Sequence, residues 1–175
     1  MLALISKLFG SKSNRDIKLI QPLVEKTKEE YAKLSTLSND ELRQKTLDFK
    51  VRIKEYLAQI DVEIAEVKAK AESEDLPINE KTALYDQLDK LQKDRDAELE
   101  KVLIEILPEA FAVMKDTARR FTENKTIEVS ATQADRELAA RKKNVVINGD
   151  KATHHNTWLA AGTEVTWNMV HYDVQ

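Results

Sequence analysis

The chain has 175 residues, a formal net charge of −3, 34% charged and 42% hydrophobic residues, and no cysteine. That composition fits a globular chain of one ordinary domain, or a small domain with an extension, and not a disordered one. It excludes disulfides and thiolate metal sites, holds no basic stripe to suggest nucleic acid, and has no apolar run near the ~18 residues of a membrane span.

At the start, Met1 to Phe9 lacks a basic leader and a small-residue cleavage site, so it is not read as a signal peptide. Leu2, Ile5, Leu8 and Phe9 fall on one side of a short amphipathic helix. That helix either docks on its own protein or touches lipid, with Lys7 and Lys12 close by. Glycine occurs only at Gly10, Gly149 and Gly162. The stretch between the first two is rich in Glu, Lys, Leu and Ala and reads as helix nearly throughout. Ser13 or Asn14 is the expected cap of a helix reaching about Leu34, kinked at Pro22. Ser38 with Glu41 forms a capping box that opens a helix to about Ala71.

Ile53, Leu57, Ile60, Ile64 and Val67 follow a 4-3-4-3 spacing, the seam of a coiled coil. After a turn over residues 72–79, a returning helix from about Glu80 to Ile106 continues the seam at Leu84, Leu88 and Leu91. Arg95 interrupts it before Leu99, Val102 and Ile106. Pro108 is expected to open a further helix with Phe111, Met114, Ala118 and Phe121 on its apolar face. A strand at Thr126 to Val129 and a polar helix from Thr132 to Lys143 follow. Three more strands are expected at Asn144 to Ile147, about Ala152 to Leu159, and Val165 to Tyr172. Asn148, Gly149 and Asp150 turn between the first two, and Trp158 and Trp167 are the expected small core. The fold class is therefore mainly α: a long antiparallel helical (coiled-coil) hairpin, further helices, and a small β-hairpin or sheet subregion at the C-terminal end.

No glycine-rich phosphate loop exists in the chain. His154 and His155 are adjacent on a strand and point to opposite faces, which argues against a metal site with His171. Acids and bases interleave at helical spacing, as at Asp86 and Lys90, a solvated face and not a catalytic carboxylate pair. No catalytic and no metal-ligating residue is assigned.

Four blocks carry a resemblance: Met1 to Ser11, Leu37 to Phe49, Leu107-Pro-Glu-Ala-Phe-Ala-Val113, and Met169-Val-His-Tyr-Asp-Val-Gln175. In this order they resemble the N-terminal part of the SecA family, bacterial ATPases that drive preproteins through the SecY channel. The resemblance implies that Gln175 reads adenine, with Met169 and Tyr172 packing beside the base. A carboxamide, with one acceptor and two donors, suits the adenine edge. It also implies ATP with magnesium as the parent's cofactor, with the phosphate-handling groups beyond Gln175. The chain would then be cut short of its motor machinery, and alone it would neither bind nucleotide tightly nor hydrolyse it. The expected organisation is N-terminal helices at 1–50, a coiled-coil hairpin insert at 51–106, a helix leading toward the motor domain at 107–124, a mixed α/β insert at 125–168, and the start of the nucleotide-binding domain at 169–175.

The implied partners are a SecY-type channel, preprotein and an anionic membrane surface, with a possible homodimer and no nucleic acid. The implied location is the cytoplasm and the inner face of the cell membrane. The resemblance says nothing of the two inserts: the hairpin either contacts preprotein, ribosome or another subunit, or decorates the motor's own surface. The rival reading is a free-standing helical interaction module with no nucleotide connection.

Overall fold

The structure is a computed structural model, and it describes residues 12–73 and 76–173. The segment Met1 to Phe9, expected to be amphipathic, and Gln175, expected to read adenine, lie outside the described residues. The chain divides into two compact units, Met1–Lys45 with Pro108–Gln175, and Thr46–Leu107.

Four helices and five strands are described: α1 (Lys12–Lys33), α2 (Asn39–Ala71), α3 (Ile78–Glu123), β1 (Thr126–Ser130), α4 (Gln133–Ala139), β2 (Val145–Asn148), β3 (Lys151–His155), β4 (Thr157–Ala160) and β5 (Thr163–Thr166). The fold is mainly α with a small antiparallel β region near the C-terminal end.

The unit of residues 46–107 is the helical hairpin. Phe49, Leu57, Val67 and Ala71 on α2 and Val102 and Ile106 on α3 are its buried apolar residues, at 9% exposure or less. Ile53, Ile60 and Ile64 are half-buried along the same stripe as Leu57, while most of the other positions face solvent. The 4-3 spacing thus sets a one-sided stripe. Tyr56 donates to Glu98 at 3.1 Å, and Arg95 Nε reaches Asp61 Oδ1 at 2.5 Å. Residue numbers fall on one helix as they rise on the other, so the arms are antiparallel. Arg95, the break in the seam, is the cation of a cross-hairpin ion pair.

α3 does not stop before Pro108 as the sequence suggests. It runs unbroken from Ile78 to Glu123 with Pro108 inside. Proline lacks the N–H that would bond the carbonyl of Ile104. Ile104 is 53% exposed, so water can reach the freed acceptor. α1 likewise already runs at Lys12, which puts Ser13 and Asn14 inside the helix instead of ahead of it.

In the other unit, α1 buries Val24 and Thr27, three residues apart, and Leu34 is buried in the turn just after the helix. Ser38 caps α2 as expected: Glu41 N–H donates to Ser38 Oγ (3.2 Å), and Ser38 N–H donates to the Glu41 carboxylate (2.7 Å). Those bonds hold the Glu41 carboxyl below its usual range, the Ser38 N–H contributing most.

Two short sheets follow, one ordered β1-β3-β2 and one a β4-β5 hairpin, all antiparallel. Alternation along β1 buries Ile127 and Val129, which pack with Ala152 of β3. Phe121 of α3, Ala131 and Ile147 close this core. It is the core of the β region, not the tryptophans: Trp158 is 36% exposed and Trp167 half-buried. Gly149 takes φ 60° in the two-residue turn that pairs Asn148 with Lys151. Ala161 and Gly162 (φ 49° and 85°) make the second turn.

Two expected strands are corrected. The one at 152–159 is divided at Asn156, a buried side chain that donates to Phe121 O (3.1 Å). The Asn156 N–H bonds Lys125 O, in register with the β1 pairing, and its carbonyl accepts from Trp167 N–H, in register with the β5 pairing, so the chain changes partner strand at this residue. The last strand ends at Thr166, and residues 167–172 lie on α3 without strand pairing. The helix expected at 132–143 ends at Ala139.

Candidate functional site

Residues 167–173 carry two of the three positions expected to face adenine. What holds this segment is α3, whose turns offer Lys115, Ala118 and Thr122 on one side at 3–4 residue spacing. The Trp167 indole N–H donates to the carbonyls of Ala118 (3.2 Å) and Met169 (2.8 Å). The Thr122 hydroxyl, which also donates to Ala118 O, lies 3.1 Å from Met169 O. Asp173 accepts from Lys115 and stands 3.9 Å from Lys28 of α1. The Lys115 hydrogen bond, helped by both positive charges, holds the Asp173 carboxyl below its usual range. Lys115 also sits 5.3 Å from the Tyr31 ring centroid, a cation–π distance.

The predicted positions fall unevenly on this frame. Met169 is fixed by its carbonyl, and its side chain is 50% exposed. Tyr172 is 77% exposed at the rim of a cavity of about 180 Å³, shared with Thr27, Phe111, Met114, Lys115 and Asp173. The two side chains therefore present exposed apolar area, available to stack on a planar group. His171 tilts at 50° to Trp167 with centroids 6.4 Å apart.

The anchors Lys28, Tyr31 and Lys115 had no signal in the sequence, because a lysine at helical spacing reads as solvated until its partner is placed. A second polar cluster was equally hidden. Asp135 lies 2.7 Å from Arg43 Nη2, accepts from the N–H and hydroxyl of Thr132, and has His154 Nε2 at 3.1 Å. Burial pushes the Asp135 carboxyl up, but the Thr132 N–H, the Arg43 guanidinium and the Thr132 hydroxyl outweigh it and hold the group well below the carboxylate range. The hydroxyl at this Asp–His contact, that of Thr132, is committed to the carboxylate. The contact ties α2, α4 and β3 together, and His154 faces away from its neighbour His155, which lines a different cavity.

The SecA DEAD-like domain family matches residues 5–175. This chain belongs to the SecA family. It is 53% identical to protein translocase subunit SecA of Cytophaga hutchinsonii over the whole chain, and 48% and 49% identical to those of Parabacteroides distasonis and Flavobacterium psychrophilum over 98% of it. The SecA-family chain spans only 15–16% of the length of these relatives. No solved structure matches it. The match to the Cytophaga SecA runs over 176 positions, so the hairpin and the β region expected to be inserts are present in that SecA too.

Proposed function

We propose that this chain is the part of a SecA translocase that presents an adenine-reading segment, Met169 to Gln175, to the nucleotide. The carrying observation is the anchoring of that segment: three contacts to α3 from Trp167 to Asp173, ending two residues before Gln175. A segment held on a rigid helix as far as Asp173 loses less conformational entropy on binding than a free tail. Met169 and Tyr172 supply apolar area beside the base, and Gln175 supplies the carboxamide.

The rest of the translocase supplies phosphate and magnesium contacts, for which this chain carries no glycine-rich loop. On this reading the whole protein couples ATP hydrolysis to passage of preprotein through a SecY-type channel, working from the cytoplasmic face of the membrane. The chain by itself is catalytically inert. What favours this over a free-standing interaction module is the family match, which extends through the terminal segment. Among the described residues no helix is long and apolar enough to cross a membrane.

The test is nucleotide binding by the full-length protein carrying Gln175→Ala. Affinity for a fluorescent ATP analogue, and its preference over the GTP analogue, are expected to fall. Unchanged affinity and preference would remove Gln175 from the site.

A further inference from the structure

Two cavities adjoin between the end of α4 and β4. One, of about 630 Å³, is lined by Arg141, Lys142 and Lys143 on one side and by Thr157, Trp158 and Leu159 on the other. The second, of about 300 Å³, is lined by Met114, Phe121, Trp158 and Trp167. Asn144, His155 and Trp158 belong to both, so they form one groove with a basic mouth and an aromatic floor.

We propose that this groove docks an extended polypeptide segment carrying acidic residues next to an apolar side chain. Three observations carry it. The three successive cations are exposed, and none is ion-paired among the described residues, although elsewhere in the unit Lys28, Arg43, Lys115 and Arg119 each hold a carboxylate. Glu164 is the one acid lining the mouth, so the mouth attracts negative charge.

Second, Thr157, Trp158 and Leu159 all line the groove although successive strand side chains point to opposite faces, so β4 meets it edge-on. Among the described residues β4 pairs only with β5, which leaves its other edge without a strand partner there. Third, Leu138, Trp158 and Leu159 are 40%, 36% and 66% exposed around the mouth. An apolar side chain there can enter the aromatic floor, while flanking carboxylates reach Arg141, Lys142 and Lys143. A nucleic acid would use the cations but not the strand edge.

The experiment takes the whole chain and a labelled peptide of about six residues, alternating Asp with Phe and Leu, a length that matches a short strand. Fluorescence anisotropy is expected to show saturable binding that weakens with salt. Lys142→Glu combined with Lys143→Glu, both at exposed positions, should weaken binding about tenfold or more with circular dichroism unchanged. Amides 157–160 should exchange more slowly in the complex. Three outcomes overturn the proposal: equal binding of the peptide with Lys in place of Asp, unchanged affinity in the double variant, or tighter binding of a single-stranded oligonucleotide or anionic phospholipid vesicles than of the peptide.

Discussion

Arg120 is the residue whose loss should cost this fold most. Its side chain is 10% exposed, and it spends its donors on four acceptors: Asp116 Oδ2 (2.8 Å), Asn39 Oδ1 (2.7 Å), Leu37 O (2.7 Å) and Leu34 O (3.2 Å). The two carbonyls belong to the turn that ends α1, where orphan acceptors and the helix dipole both favour a cation. Arg120→Met keeps the aliphatic stem and removes every donor. Breaking a buried pair costs about 3–5 kcal/mol, because the remaining charge has lost its water without keeping its partner. Asp116, 2% exposed, retains Arg119 at 2.8 Å, which places the expected loss near the lower end, about 3 kcal/mol. In a chain of this length that lowers the melting temperature by roughly 6–12 °C. Arg120→Lys should lose nearly as much, since a point charge cannot span four acceptors. Urea denaturation followed by tryptophan fluorescence is the assay, because Trp158 and Trp167 both lie in the unit that Arg120 holds. A loss under about 1 kcal/mol for Arg120→Met would mean that the turn is held by packing, and the reasoning would fail.

The remaining predictions concern acid stability, turn strain and the hairpin. Asp135 has a folded pKa below its ordinary 3.8, so its bonds stabilise the fold above about pH 4, and that contribution is lost as pH falls through the folded value. Asp135→Asn should therefore cost roughly 2 kcal/mol at pH 7, and the gap from wild type should close as the pH drops below about 4. A gap that stays constant with pH would refute this. Ala161 sits at φ 49°, where a side chain is strained, so Ala161→Gly should raise stability by about 0.5–1 kcal/mol in thermal melts, and Gly162→Ala should lower it. In the hairpin, reversing one charge of the Asp61–Arg95 pair should lower the urea midpoint slightly. Exchanging both should restore most of that, a coupling that a double-mutant cycle reads directly.

Local periodicity made the helices legible. The heptad positions on α2 that the spacing assigned to the seam are the ones the structure shields, and the Ser38–Glu41 box forms as the pattern demands. Termination was not legible. Pro108 reads as a boundary because proline blocks one hydrogen bond, but one lost bond does not end a helix when its flanks are packed and the freed carbonyl meets water. The last strand departs from its pattern for the opposite reason. Val165 to Tyr172 alternates like a strand, yet strand residues need a partner edge, and Trp167 and Thr122 bind this backbone to α3. Of the candidate site, Met169 and Tyr172 were expected only through the family resemblance, and the anchors Lys115 and Lys28 depend on a fold-level encounter.

The least legible feature is also what binds the β region into its unit. β1 is an edge strand, and its outward backbone groups need partners. The first turns of α2 provide them: Asn39 donates to Glu128 O (3.1 Å), Asp40 accepts from Ser130 N–H and hydroxyl (2.8 Å each), and Arg43 donates to Ser130 O (3.2 Å). Those Ser130 bonds, the backbone one foremost, pull the Asp40 carboxyl below its usual range. Asn39 meanwhile accepts from Arg120, and Arg43 continues to Asp135. One helical start thus receives the α1 turn, closes a sheet edge and pairs a buried acid, through residues 81 to 92 positions distant in sequence. The β region stacked on it should therefore unfold together with the helical part of its unit, because opening either leaves the other's buried polar groups without partners.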